Sequence, residues 1–189
     1  MRIAIFSGSF NPIHNGHLAI AREVLKQGAA DELWFLVSPR NPLKKSDDLM
    51  AEGDRLKMVE LAIENEKSMV ASDFEFHLPR PSYTIRTLEN LRNAYPQHQF
   101  TLLIGSDNLA IIHKWVEYRR IISEFGLIVY PRPGYIIKED SLSPNTTLIT
   151  APLIDISATE IRNKLKKGET ISGLVPEKVN MFLKGAKGR

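Results

Sequence analysis

The sequence has no cysteine among its 189 residues. This absence excludes disulfide bonds, iron–sulfur clusters and thiolate catalysis, and it removes the thiolate ligands of zinc fingers. No apolar run approaches the roughly 20 residues of a membrane-spanning helix. The chain begins almost directly in the apolar run "IAIF", without the pattern of a secretory signal. We therefore expect a cytoplasmic protein with no membrane partner.

An excess of charge of one sign is also lacking, since the formal net charge is only +3 at pH 7. So small an excess argues against a nucleic-acid partner, because nucleic-acid phosphates attract strongly basic surfaces. It suits a small anionic substrate equally well. Hydrophobic residues make up 43% of the chain and charged residues 25%, which is ordinary for a globular protein. A chain of this length predicts one domain.

Three widespread catalytic and nucleotide-binding motifs are missing. The phosphate-binding loop G-x-x-x-x-G-K-[ST] does not occur, which argues against a P-loop enzyme. No G-x-G-x-x-G follows the first apolar run, which argues against an ordinary dinucleotide-binding oxidoreductase. No G-x-S-x-G or Ser–His–Asp arrangement is recognisable, so nothing favours a serine hydrolase.

What the sequence does contain is an alternation of short apolar runs with helical periodicity. The runs predict strands over residues 2–8, 32–39, 68–76, 99–108, 126–131 and 146–157. The periodic segments predict helices over residues 15–28, 54–66, 82–96, 108–125, 157–168 and 175–185. Strands that alternate with helices predict an α/β fold with an open, mostly parallel sheet.

Polar clusters follow the predicted strands. They cover residues 7–17, 38–45, 105–107 and 155–162. Ligands of open α/β sheets bind outside the carboxyl ends of the strands, where the strand order reverses. Four clusters at such positions therefore indicate one shared pocket.

The first cluster, "FSGSFNPIHNGHL", places His14 and His17 where a helix begins. A helix N-terminus offers free N–H groups and partial positive charge, which suit an anion such as phosphate. A lone histidine is more often a surface or core residue. Zinc binding needs further ligands, and His77, His98 and His113 show no ligand spacing.

The last cluster, "ISATEIR", has two compatible interpretations. Ser157 and Glu160 have the spacing of a capping box, which any helix can carry. Ser157, Thr159 and Arg162 also place two hydroxyls and a guanidinium at a second helix start, where they could bind phosphate. Lys44 and Lys45 in "NPLKK" are either solvated or phosphate-binding.

These two clusters resemble the paired motifs of the nucleotidyltransferase superfamily. Residues 8–17 read GSFNPIHNGH and residues 156–162 read ISATEIR. Within the superfamily the chain is similar to the nicotinate mononucleotide adenylyltransferases, also in "PRNPLKK", "RPSYTIRTLENL", "LLIGSDNL", Trp115 and "RPG". The resemblance implies a Rossmann-like nucleotidyltransferase fold with helices on both faces of the sheet. It implies one domain over residues 1–189, with a small C-terminal helical part from about residue 157.

The same resemblance implies transfer of the adenylyl group of ATP to nicotinate mononucleotide, which yields nicotinate adenine dinucleotide and pyrophosphate in NAD synthesis. Its catalytic residues would be His14, His17 and Arg162. Its ATP-binding residues would be Gly8, Ser9, Phe10, His14, His17, Lys44, Gly105, Asp107, Ser157, Thr159 and Arg162. Its residues for nicotinate mononucleotide would be Thr84, Asp107, Trp115 and Val116. Mg²⁺ would accompany ATP, held mainly by the phosphates. Assembly into a homo-oligomer stays open.

The sequence departs from the family pattern at four positions, one of which is Phe182, where a tyrosine is common near the C-terminus. Ser7 stands where many members have glycine, and Asn11 where many have aspartate. Leu43 replaces a histidine that is common beside Lys44. None of these changes removes a residue with an implied catalytic role.

Alternative functions remain at this stage. Nicotinamide mononucleotide could be the acceptor, alone or together with the acid. Pantetheine phosphate adenylyltransferases and cytidylyltransferases are weaker alternatives. From other classes, a nucleotide-binding module without catalysis and a fragment of an aminoacyl-tRNA synthetase are also conceivable. His17 and Arg162 argue against the module, and the short chain argues against the fragment.

Overall fold

The structure is a computed structural model that describes residues 1–39, 49–138, 142–152 and 156–186. Its strands are β1 (Arg2–Gly8), β2 (Glu32–Val37), β3 (Met69–Ser72), β4 (Gln99–Gly105), β5 (Leu127–Tyr130) and β6 (Thr146–Leu148). Its helices are α1 (Asn15–Lys26), α2 (Glu52–Ile63), α3 (Thr84–Ala94), α4 (Ser106–Ile111), α5 (Tyr118–Arg120), α6 (Ala158–Lys167) and α7 (Glu177–Ala186). In these stretches no helix combines the length and the apolar character needed to cross a membrane.

The strands form one parallel sheet in the order β3-β2-β1-β4-β5-β6. Phe6 of β1 lies opposite Phe35 of β2, and Ile5 lies opposite Leu102 of β4. The chain proceeds from β1 to β3 on one side and from β4 to β6 on the other. The strand order therefore reverses between β1 and β4, and a crevice opens there outside the carboxyl ends of the strands.

Alternate side chains of β1 pack into two separate apolar layers. Ala4 and Phe6 belong to the layer that contains buried residues of α1, α2, α6 and α7. Ile3 and Ile5 belong to the layer under α3 and the segment 112–125. The predicted α/β fold, with a parallel open sheet and helices on both faces, is therefore confirmed.

The prediction of one continuous helix over residues 108–125 is wrong in the middle of that segment. The segment consists of α4, a 3₁₀ turn at Ile112–Lys114, α5 and a π-helical turn at Ile121–Phe125. Trp115 is extended, with φ −80° and ψ 146°, and packs against the second apolar layer. Glu117 has a φ of 51° and accepts a hydrogen bond of 2.6 Å from Arg120 Nη1. Periodicity does not reveal this break because apolar residues continue through it.

Two strands are shorter than predicted. The strand predicted over 68–76 ends at Ser72, and a 3₁₀ turn at Phe74–His77 follows it. The strand predicted over 146–157 ends at Leu148. The side chain of Gln27 then bonds Thr150 twice, accepting from its N–H at 3.0 Å and donating to its carbonyl at 2.6 Å. These bonds take the place of a strand partner.

Gly126 provides a test of how tightly the chain turns before β5. Its φ is 76°, and an added Cβ would lie 2.9 Å from the carbonyl oxygen of Asn145. Gly28 is a matched control, because its φ is 68° but its added Cβ would meet nothing within 4 Å. We expect Gly28→Ala to cost about 1 kcal/mol of unfolding free energy for the backbone alone. Gly126→Ala should cost at least about 2 kcal/mol, since overpacking is added.

Urea denaturation followed by circular dichroism measures both values. Equal losses in the two variants would contradict the close approach of Asn145 to Gly126.

Candidate active site

The turn after β1 is held by an aromatic side chain on strained backbone. Phe10 has a positive φ of 43°, which is unfavourable for a residue with a side chain. Its ring is buried and meets Phe6, Phe35 and His17 edge-on, at centroid distances of 5.7, 5.4 and 5.1 Å. A Cβ on Gly8 would come within 3.2 Å of the same ring. Packing of one ring thus fixes the path of the turn that leads into α1.

His14 and His17 stack on each other at the start of α1. Their ring centroids are 3.6 Å apart, and the planes are inclined by 25°. The main-chain N–H of His14 donates to Nδ1 of His17 over 3.2 Å. Because Nδ1 accepts this bond, the proton of the neutral ring is on Nε2. His17 therefore has one N–H available for a ligand.

Both histidines are neutral at pH 7. Burial, together with the positive charge of Arg132, lowers the pKa of His14 to about 4. Burial, followed by the proximity of His14 and Arg132, holds the pKa of His17 well below its ordinary value. Two neutral imidazoles can donate hydrogen bonds to an anion without carrying charge themselves.

Arg162 connects the two sequence motifs directly. Its Nη1 donates to the main-chain carbonyl of Asn11 over 2.8 Å, across 151 residues of sequence. Its Nη2 donates to Thr159 Oγ1 over 3.2 Å. Ser157 accepts a bond of 3.1 Å from the N–H of Glu160, which confirms the Ser157 half of the predicted capping box. The start of α6 thus lies against the turn that precedes α1.

One cleft contains residues from both ends of the chain. It is lined by His14, Gly16, His17, Ile20, Tyr130, Pro131, Arg132, Pro133, Pro152 and Ile156. The loop before α7 also supports the start of α1, since Leu174 O accepts from Asn15 N at 2.9 Å. The predicted juxtaposition of the first and last polar clusters is present.

Gly105 and Asp107 lie beside Arg132, which lines this cleft. Asp107 Oδ1 and Arg132 Nε are 3.7 Å apart, and neither buried atom has a hydrogen-bond partner among the described residues. A Cβ on Gly105 would overlap the Asp107 carboxylate, so this approach requires glycine. Arg132 belongs to the segment "RPG", for which the sequence predicts no role. Here the carboxylate of Asp107 can bind a ligand hydroxyl or a cation, and the guanidinium of Arg132 can bind a phosphate.

Three of the residues expected to bind the acceptor are absent from the lining of the histidine cleft. Thr84 is the first residue of α3, while Trp115 is half-buried in the second apolar layer and Val116 is exposed. Arg86 of α3 approaches Glu117 to 3.8 Å, which joins these two segments. Lys44 lies outside the described residues.

Sequence reasoning missed Arg55, a fully buried residue of α2. Its side chain hydrogen-bonds the carbonyl of Ser9 in the turn after β1. The available signal was its position three and four residues before Met58 and Val59, which are buried on the same helix. An arginine on the apolar stripe of a helix indicates a partner inside the protein.

Sequence reasoning also missed a buried carboxyl group at Glu75, which is only 5% exposed. Thr87 Oγ1 donates to Glu75 Oε1 over 3.1 Å, and the hydroxyls of Ser38 and Ser7 also bond this carboxyl group. Burial raises the pKa of Glu75, while the three hydroxyls act in the opposite direction. Ser7, the departure from the family's glycine, thus supplies a hydroxyl to this network.

Metal-binding groups are sparse. The described ranges contain no cluster of three or more histidine, cysteine, aspartate or glutamate side chains that could hold a metal ion.

A parallel α/β sheet with two helix starts and two neutral imidazoles beside its reversal of strand order has the architecture of a nucleotidyltransferase. The chain matches the family model described as cytidylyltransferase-like over residues 5–164. It is 49% identical to the "Probable nicotinate-nucleotide adenylyltransferase" of Bacteroides fragilis over 90% of this chain and 85% of the relative. It is 44% identical to the protein of the same name from Flavobacterium johnsoniae, over 95% and 94%.

Among solved structures, the chain is similar to Plasmodium falciparum nicotinic acid mononucleotide adenylyltransferase complexed with NaAD. The TM-score is 0.84 at 23% identity, over 98% of this chain and 96% of the other. The same enzyme complexed with APC gives a TM-score of 0.83 at 22% identity over the same shares. These likenesses establish the fold. The sequence comparisons show that the chain belongs to the cytidylyltransferase-like family and, within it, to the nicotinate-nucleotide adenylyltransferases.

The raised pKa of Glu75 predicts a particular pH dependence of stability. Its contribution is full below its ordinary pKa near 4.5 and is lost as pH rises through the raised value. Glu75→Gln keeps the shape and hydrogen bonds but does not ionise. We expect the Tm of this variant, minus that of the wild type, to increase from pH 5 to pH 8.

Glu89→Gln is the control with the opposite sign. The guanidinium of Arg120 lowers the pKa of Glu89, so its contribution is present above the ordinary value and lost as pH falls. Its Tm difference from the wild type should therefore stay nearly constant between pH 5 and pH 8 and should shrink only as pH falls below about 4.5. A Glu75→Gln difference that stays constant between pH 5 and pH 8 would show that Glu75 does not titrate as described.

Proposed function

We propose that this protein transfers the adenylyl group of ATP to nicotinate mononucleotide, giving nicotinate adenine dinucleotide and pyrophosphate. The proposal rests above all on the bond from Arg162 to the carbonyl of Asn11, which unites both helix starts in one cleft. Family membership supplies the choice of substrates. The names of the curated relatives support nicotinate mononucleotide as the acceptor.

The reaction is a direct displacement at phosphorus. A phosphate oxygen of nicotinate mononucleotide forms a new bond to the α-phosphorus of ATP. The bond from that phosphorus to the bridging α–β oxygen breaks, and pyrophosphate leaves with its electron pair. No covalent enzyme intermediate is required, so the protein contributes positioning and stabilisation of charge.

His14, His17 and Arg162 are the proposed catalytic residues. The Nε2–H of His17 donates to an oxygen of the α-phosphoryl group, where charge accumulates as the bonds change. A neutral donor is already in position and has no proton to lose at pH 7. His14 contacts the phosphates beside it, and Arg162 adds positive charge from the start of α6.

The remaining ATP contacts follow from the same cleft. Gly8, Ser9 and Phe10 form the phosphate turn with their main chain. Ser157 and Thr159 act with Lys44 on the β- and γ-phosphates. The nucleotide pocket is lined by Gly105 and Asp107.

The acceptor lies on the side of α3. Trp115 stacks on the pyridine ring, and main-chain N–H groups near Thr84 and Val116 bind the carboxylate. Asp107 contacts the sugar. The joining of α3 to the segment after Trp115 through Arg86 and Glu117 supports this grouping.

Mg²⁺ is the proposed cofactor. This ion prefers oxygen ligands and usually keeps waters together with substrate phosphates and one or two carboxylates. The Oδ1 of Asp107, which lies 3.7 Å from Arg132 Nε but has no hydrogen-bond partner among the described residues, is an oxygen donor of that kind. When bound with ATP, the ion neutralises part of the phosphate charge.

The first test of this function compares acceptors. Purified protein with ATP and Mg²⁺ should release pyrophosphate when nicotinate mononucleotide is added. Nicotinamide mononucleotide should react more slowly, since it lacks the carboxylate that the N–H groups bind. A coupled pyrophosphate assay measures kcat/KM for each. Pyrophosphate release that requires the amide, or that uses CTP in place of ATP, would overturn the assignment.

The second test removes the proposed donor at the α-phosphoryl group. His17→Ala should lower kcat by about 10²–10³, the loss expected for one preorganised electrostatic donor. His77→Ala is the control, because this exposed histidine pairs only with Asp73 in the described structure. It should leave kcat within a factor of two. A loss of less than tenfold in His17→Ala would remove His17 from its role.

A further inference from the structure

Arg55 makes four hydrogen bonds with main-chain carbonyls and is completely buried. Nε donates to Met50 O over 3.0 Å, and Nη2 donates to Pro39 O over 2.9 Å. Nη1 donates to both Ser9 O and Ser38 O, each over 2.7 Å. These acceptors belong to the turn after β1, the end of β2 and the approach to α2.

Burying a guanidinium costs desolvation free energy that an apolar side chain would not cost. Burial lowers the pKa of Arg55, and the carboxylate of Glu52 acts in the other direction. An apolar side chain could occupy the same volume without desolvating a charge. What an apolar side chain cannot do is hold several carbonyl oxygens at fixed positions, which the planar fork of arginine does.

The bond to Ser9 sets the direction of the next N–H group. The peptide between Ser9 and Phe10 is trans, so its C=O and N–H point to opposite sides. Because Ser9 O points at Arg55, the N–H of Phe10 points away from α2. The orientation of one peptide in the phosphate turn is therefore fixed from behind by Arg55.

The bonds to Ser38 and Pro39 add a second constraint. Ser38 N also donates to Gly8 O over 2.9 Å, so the ends of β1 and β2 are already adjacent. The guanidinium thus bonds the segments that follow both strands at once. A lysine at position 55 would keep the charge but lose this planar arrangement of donors.

We propose that Arg55 is a positioning residue for the triphosphate, which orients the turn at Ser9–Phe10 and fixes it relative to the end of β2. It acts through the main chain and does not contact ATP. The inference rests on the proposed function only in taking ATP as the nucleotide.

The test compares Arg55→Lys and Arg55→Met with the wild type, well below the Tm of each protein. The control is Arg22→Lys, an exposed arginine of α1 that pairs with Glu66. Calorimetry gives the Kd for ATP. Steady-state kinetics give kcat and the KM for each substrate.

We expect Arg55→Lys to raise the Kd for ATP about tenfold or more and to lower kcat, because small misplacements of a binding group cost 10- to 100-fold. The KM for nicotinate mononucleotide should stay within twofold. Arg55→Met should lose at least as much, and Arg22→Lys should match the wild type. A merely structural arginine would lower Tm and leave the Kd for ATP unchanged.

A measurement on the wild type covers the case in which the variants do not fold. The ¹⁵Nε–H resonance of Arg55 should shift along the same saturation curve as ATP binding, while that of Arg22 stays in place. An unshifted Arg55 resonance, or an Arg55→Lys variant with wild-type Kd and kcat, overturns the inference. ATP binding without turnover of nicotinate mononucleotide would overturn the proposed function, and the Kd comparison would still decide the role of Arg55. A wild type that does not bind ATP overturns both.

Discussion

The hydrogen bond from Arg162 to the carbonyl of Asn11 is the contact on which the site depends. It joins residues 151 positions apart and brings the start of α6 against the start of α1. Each helix start alone offers a few N–H groups and a partial positive charge, which is a weak and common anion site. Placed together at the reversal of strand order, they put two such anion sites side by side. The parallel sheet makes this possible because it brings the carboxyl ends of distant strands to one edge.

In and around the cleft the histidines are neutral, and arginines carry the positive charge. Burial and the positive charge of Arg132 keep His14 and His17 neutral, so they donate hydrogen bonds without repelling the cations around them. Arg132 lines the cleft, Arg162 bonds the turn that precedes α1, and Arg55 is buried behind that turn. On the other face of β1, Glu75 is buried among hydroxyls from neighbouring elements. Arg55 on one face of the sheet and Glu75 on the other thus fix the turns that the substrates would contact.

The sequence contained enough to predict the parallel sheet, most helices and the meeting of the two polar motifs. These features follow from apolar periodicity and from turn and capping residues, which are local signals. Arg55 and Glu75 were missed because their roles depend on partners in other elements, and Glu75 was placed within a strand that ends at Ser72. The break at Trp115 was missed for a related reason, since core packing and the ion pair of Glu117 determine it. The roles of the individual site residues remain predictions.

A crystal structure with a non-hydrolysable ATP analogue tests the central claim most directly. The account predicts that the triphosphate bridges both helix starts. Its α-phosphoryl oxygens should lie within hydrogen-bonding distance of His17 Nε2, and its outer phosphates should contact Ser157, Thr159 or Arg162. A triphosphate that contacts only one of the two helix starts, or that binds elsewhere on the protein, would contradict it.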